Sequence, residues 1–164
     1  MPDFIPLEQA PAWIGRELFI SPWMTTSVRH LELFHAATEL DPAVTDMAVC
    51  ETNPAPDLVD GFWLQSMLAA THFNHNPIRS PGMWGLNLGS DKVRFITPVH
   101  VGQRIRYRCV LDAVLPHAHG TVLVTTNTAE VEGITRPAMV AVMRTLSSTE
   151  SALPSTAASR AGSA

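Results

Sequence analysis

The stretch Lys92–Leu111, KVRFITPVHVGQRIRYRCVL, alternates apolar and polar positions, breaks once at Pro98 and Gly102, and then resumes the alternation. That is the pattern of a strand, a turn and a second strand. Shortly before it, VDGFWLQSMLAATHF, Val59–Phe73, is apolar on almost every side. A helix of that kind has to be wrapped by something, and a strongly curved antiparallel sheet supplies the wrapping. The helix is expected to begin near Gly61 and to end by Asn76 and Pro77, because proline disfavours helical geometry in the residue before it.

Other elements fit around this pair. ELFISPWM is a short strand candidate in which Pro22 suits only an edge or a bulge, since it has no N–H for a ladder. Thr25 or Thr26 is then an N-cap for a helix through VRHLELFHAATEL, with Val28, Leu31, Phe34 and Ala37 on one apolar face. From Glu39 to Asp60 no period is sustained and Pro42, Pro54 and Pro56 interrupt the chain. An irregular connection of that length in a compact domain is more often functional than idle, so it is the first place to look for chemistry. Glycine-punctuated SPGMWGLNLGS leads into strands expected at Met83–Ile96, Gln103–Leu115, Thr121–Glu132 and Pro137–Leu146, with turns at HAHG, 117–120, and EGITR, 132–136.

Residues 1–18 are expected to form an arm, extended over its proline-rich first fifteen residues, 19–146 a single domain, and 147–164 a disordered tail of small polar residues. No internal repeat is visible. At 164 residues the chain has room for one core, and 46% hydrophobic with 16% charged residues indicates a soluble globular protein with a large buried fraction, subunit interface included. A net charge of −4 gives no electrostatic reason to bind nucleic acid. Arg104, Arg106 and Arg108 alternate and so share one face, either a solvated sheet face or a clamp for the phosphates of coenzyme A or a carrier-protein arm.

Cys50 and Cys109 have neither zinc nor disulfide spacing, so free thiols, no metal and no cofactor are expected. The N-terminus is acidic and proline-punctuated, unlike a signal or transit peptide, and no apolar run is long enough to span a bilayer. A cytoplasmic, non-membrane protein is the expectation.

The order of blocks resembles the MaoC-like hydratases and dehydratases, particularly the NodN-like group. The resemblance rests on FHAAT in the first helix, DGFWLQSML at the central helix, and GLNLGSDKVRFITPVHVGQRIR, and it runs from about Phe19 to Leu146. It implies an α+β hot-dog fold, a curved antiparallel sheet around a long central helix, dimerising by extension of the sheet. It also implies an acyl-CoA or acyl-carrier-protein thioester threading between the helix and the loop before it. Active members add water to an enoyl thioester or remove it from a 3-hydroxyacyl thioester. They use D-x-x-x-x-H, commonly within G-D-x-[NQ]-x-[IL]-H-x-D, and a backbone N–H at the Gly of A-H-G polarises the carbonyl.

This chain departs from that signature. Aligned without a gap, the Asp falls on Leu40 and the His on Thr45, and the pair is lost. With one inserted residue the pair becomes Asp41 and Asp46 at the right spacing. Two close, partly shielded carboxylates separate their pKa values, so one can act as acid and the other as base. An Asp beside Pro is also common in a plain turn. In place of A-H-G stands V-D-G, with Asp60 a cap or an acid and Gly61 retained as the carbonyl-polarising position.

Trp63 and Met67, four apart on the central helix, and Trp84 and Asn87 before the VRF strand are candidates for the acyl channel, with core or interface packing as the competing role. His72 and His75 share a face near the helix C-terminus, where cationic or donor groups are favoured. His30 and His35 are expected to be exposed, and His117 and His119 to flank a turn. The implied function is an enoyl-thioester hydratase or 3-hydroxyacyl-thioester dehydratase-like enzyme acting as a homodimer. The alternatives are a non-catalytic partner in a heterodimer with a catalytic hot-dog subunit, or a related isomerase, cyclase or lyase.

Overall fold

The computed structural model describes residues 4–40 and 57–149. In chain order these form a 3-10 turn, Leu7–Trp13, then β1 (Glu17–Ile20), β2 (Met24–Thr25), α1 (Val28–Thr38), α2 (Gly61–His75), β3 (Trp84–Phe95), β4 (Arg104–His117), β5 (Gly120–Val131) and β6 (Ile134–Ser148). The strands make one antiparallel sheet in the order β1, β4, β5, β6, β3, and β2 joins β1 on the outer side of β4. β1 and β2 flank Pro22, as a residue without an N–H requires.

The sheet curls around α2. Trp63, Leu64 and Leu68 of α2 are buried with Leu31 of α1 against Ile105, Tyr107, Ala129, Met139, Ala141 and Met143 of β4, β5 and β6. On β4 the side chains at 105, 107, 109 and 111 face inward and the arginines among the positions between them face out, the alternation of a strand with one buried face. Tyr107, 1% exposed, holds helix and sheet together: its hydroxyl donates to the Leu64 carbonyl at 2.9 Å. Burial pushes the phenol well above its ordinary pKa, so it stays a neutral donor.

Several local expectations change. The N-terminal segment is not a plain extended arm: it contains the 3-10 turn, and Ile5, 2% exposed, pairs with Ile78 and packs with Ala10, Leu18, Phe19, Cys109 and Leu111. The α1 cap is Ser27, whose Oγ accepts from the His30 N–H, rather than Thr25 or Thr26. Thr26 turns its hydroxyl instead to the carbonyls of His100 and Gln103, both at 3.0 Å.

The arginine row is no phosphate clamp, because acids neutralise it. Arg104 pairs with Glu132 at 2.7 Å, Arg106 with Glu130 at 2.6 Å, and Arg108 with both Glu130 and Glu17. Arg106 also lies 4.4 Å over the Trp23 ring. Partial burial alone would raise the Glu130 carboxyl, but its hydrogen bonds from Arg106 and Arg108 outweigh this and lower its pKa.

β3 is the far edge of the sheet and pairs with no further strand among the described residues. It exposes Leu86, Leu88 and Phe95, and α2 exposes Phe62 and Phe73, the latter 85% accessible. Long, flat, apolar edges are normally covered.

Candidate active site

The start of α2 is held firmly. Val59 is buried and donates its N–H to the Val99 carbonyl at 2.8 Å, while Val101 N–H reaches Asp57 O at 2.8 Å and His100 Nδ1 meets Asp57 Oδ2 at 3.0 Å. The turn after β3 thereby aims the helix N-terminus.

A helix begins with N–H groups that have no partner within it, and they carry partial positive charge. Asp60 takes two of them: its Oδ1 accepts from Phe62 N–H at 2.6 Å and Trp63 N–H at 3.4 Å. The Gly61 N–H meets no acceptor among the described residues. A side chain there is opposed by close approach rather than by backbone angle. A Cβ at Gly61 would lie 3.0 Å from the Phe95 ring, which also packs edge-on against Phe62 with ring centroids 6.1 Å apart. The result is a hydrogen-bond donor beside an aromatic wall.

An oxygen bound at the Gly61 N–H would therefore have a carboxylate that accepts from the next two helix donors as its neighbour.

At the other end of the α1 connection, Glu39 ends the helix in the left-handed conformation, φ 58°, and the following Leu40 N–H bonds back to the His35 carbonyl at 2.9 Å. Glycine is the ordinary residue for that geometry. Glu39→Gly is expected to stabilise the domain by up to about 1 kcal/mol by relieving the Cβ penalty, read by urea denaturation. The ungapped alignment puts the glycine of the G-D motif on this residue. The next position is then Leu40, 48% exposed. Asp41 and Asp46 lie outside the described residues.

The channel candidates separate. Trp63 is 5% exposed in the main core and Met67 packs partly buried against the same cluster. Trp84 does not join them. It packs with Val122, Val124 and Leu146, which alternation places on the sheet face turned away from α2. Asn87 is exposed and its Oδ1 accepts from the Gly89 N–H at 3.0 Å, across a β-bulge in β3.

Two histidines depart from their sequence reading. His30 is not simply exposed: its ring stacks on Trp63 with centroids 5.4 Å apart and 23° between planes. His72 does more than end a helix, since its Nε2 donates to Asn127 Oδ1 at 2.7 Å and lies 3.7 Å from Cys109 Sγ. Asn127 is oriented by donating its amide to Thr125. These partners are 37 and 55 residues away in sequence, so no local pattern announces them. Burial raises the Cys109 thiol far above its ordinary pKa, so it is not a nucleophile.

Loss of solvation lowers the His72 pKa more than the Asn127 bond restores it. The folded state therefore binds this proton less readily than the unfolded chain, whose histidine value is about 6.5. The stability contributed is complete above that value and is lost as pH falls below it. Melting temperature is expected to fall from pH 7 to pH 5, and His72→Gln to flatten that slope. Among the described residues no group of three or more His, Cys, Asp or Glu is placed to hold a metal ion, and no helix is long and apolar enough to cross a membrane.

No family model matches the chain. It is 35% identical over 140 residues to nodulation protein N of Rhizobium leguminosarum bv. viciae, covering 82% of this chain and 86% of that protein. It is 30% identical over 148 residues to 3-hydroxyacyl-thioester dehydratase Z of Mycobacterium tuberculosis, covering 86% of this chain and 95% of that protein. Among solved structures, R-hydratase PhaJ1 from Pseudomonas aeruginosa superimposes with a TM-score of 0.63 at 18% identity, covering 93% of this chain and 95% of that one. The MaoC-like dehydratase from Rhodospirillum rubrum gives 0.61 at 9% identity, covering 81% and 91%. The chain belongs to the MaoC-like hot-dog family, in its nodulation protein N-like group.

Proposed function

Starting from that membership, we propose that the chain binds an acyl thioester, on coenzyme A or a carrier protein, and catalyses hydro-lyase chemistry on it. The observation that carries this reading is the Gly61 N–H at the head of α2, which meets no acceptor among the described residues, beside a neighbour that already satisfies the next two donors. The thioester carbonyl accepts from Gly61, which polarises it. The acyl chain lies against Trp63 and Met67, and Asp41 and Asp46 exchange the proton at the alpha carbon and hold the water. The dehydratase relative supports the reaction class. The test is hydration of a panel of trans-2-enoyl-CoA chain lengths, followed by loss of the conjugated-thioester absorbance. Absence of turnover at every length, with enzyme near substrate concentration, would remove the catalytic reading.

The non-catalytic partner is the second reading, and a specific observation favours it. Glu39 in the left-handed region, a glycine geometry, supports the ungapped register in which Leu40 and Thr45 replace the catalytic pair. Such a chain would bind thioester and complete a channel whose acid and base belong to another hot-dog subunit. Co-purification from the native host separates the two: a homodimer active by itself excludes the partner role.

Either form is an oligomer. The exposed β3 edge with Leu86, Leu88 and Phe95, and Phe62 and Phe73 on α2, supports pairing with a second hot-dog domain. Light scattering at micromolar concentration is expected to give at least a dimer for the pure protein, and a monomer would contradict the interface.

A further inference from the structure

The outer face of the sheet carries an open cleft. Tyr107 and Ala129 are buried in the core against α2, so Arg106, Thr128 and Glu130, which alternate with them along β4 and β5, belong to the opposite face. With Trp23, Ile134 and Pro137 they line a space of about 500 Å³. That volume falls within the range of small-molecule sites, roughly 300–1,000 Å³.

Its floor is held in place. The Arg106 guanidinium lies 4.4 Å over the Trp23 ring and donates from Nε to Glu130 at 2.6 Å. Both Glu130 oxygens are engaged, one by Arg106 and the other by Arg108. The network is balanced in charge, since Arg104, Arg106 and Arg108 meet Glu132, Glu130 and Glu17. It therefore offers an anion no net attraction.

What the cleft does offer is unused donors. The two Nη groups of Arg106, the Trp23 indole N–H and the Thr128 hydroxyl form no hydrogen bond among the described residues. A complementary ligand has to accept without bringing a charge, and it needs an apolar part for Ile134 and Pro137.

We propose that this cleft is a binding site for a small neutral amide with an apolar tail. The amide oxygen has two lone pairs and accepts from Arg106 Nη, the amide N–H donates to Thr128 Oγ1, and the tail lies on Ile134 and Pro137. Arg106 is already fixed by the indole and by Glu130, so little side-chain freedom is lost on binding. The site does not depend on the thioester reading, because its polar side chains lie on the face of the sheet turned away from α2.

The test is a titration of the whole protein with hexanamide, followed by ¹H–¹⁵N correlation spectra of the indole N–H groups. The chain has 4 tryptophans, and the Trp23 signal is the one that disappears in Trp23→Phe. Hexanamide is expected to shift that signal saturably. Acetamide, which lacks the tail, is expected to bind about tenfold more weakly, the effect of a few half-buried methylenes. Hexanoate is expected to bind no more tightly than hexanamide. Arg106→Lys keeps the charge beside Glu130 but loses the forked end, and about a tenfold loss of affinity is expected. Thr128→Val keeps the shape and removes the hydroxyl, for a loss of about fivefold. No saturable shift of the Trp23 signal, or unchanged affinity in both variants, would overturn the site. Tighter binding of hexanoate than of hexanamide would overturn the assignment of a neutral ligand.

Discussion

Tyr107→Ala is expected to destabilise the domain by about 3–5 kcal/mol, the range for removing a buried aromatic side chain. Tyr107 is among the largest fully buried side chains and lies at the centre of the floor beneath α2. Its loss opens a cavity under Leu64 and removes the hydroxyl bond to that residue's carbonyl. Urea denaturation followed by tryptophan fluorescence gives the value. Tyr107→Phe isolates the hydrogen bond and should cost about 1 kcal/mol, because the Leu64 carbonyl keeps its place in the helix ladder. A Tyr107→Ala loss no larger than that of Tyr107→Phe would mean that the sheet does not grip α2 here.

Asp46→Asn is expected to reduce turnover on an enoyl or 3-hydroxyacyl thioester by about a hundredfold, the scale of losing one acid or base group, with little change in melting temperature. The substitution keeps size and polarity and removes only the ionisation. The measurement is kcat at saturating substrate, beside a thermal melt of the same preparation. An unchanged kcat would assign the motif positions to Leu40 and Thr45, and the acid and base to another subunit.

The sequence carried the architecture because burial in this fold is periodic. Alternation through Lys92–Leu111 implied a strand, a turn and a strand, and β4 begins at Arg104 with the turn where Pro98 and Gly102 punctuate the chain. An apolar run starting at glycine and closed by Asn-Pro implied α2, found at Gly61–His75, and the residue before it was legible as a cap. Gly61 was named from the helix start and the V-D-G block as the carbonyl-polarising position, and the fold adds that a Cβ there would lie 3.0 Å from the Phe95 ring brought from β3.

What failed in the sequence reading failed at contacts between distant segments. Thr25 or Thr26 looked like the α1 cap, but the Thr26 hydroxyl is taken by carbonyls 74 and 77 residues away, which leaves Ser27 to cap. The arginine row could be read as a solvated sheet face or as a phosphate clamp, and only Glu17, Glu130 and Glu132, brought across from neighbouring strands, decided between them. Trp84 sits close in sequence to the VRF strand and yet faces away from α2, because one step of the β period decides the side of the sheet.

By itself, then, the sequence determined the fold class, the position of the central helix and the family, since each is written in local periodicity and in ordered motifs. The pairing of His72 with Asn127, the stacking of His30 on Trp63 and the neutralised arginines were decided only by tertiary structure. Those features depend on which side chains meet across the sheet, and a hydrogen bond or a ring contact between residues far apart in the chain leaves no trace in the pattern of either segment.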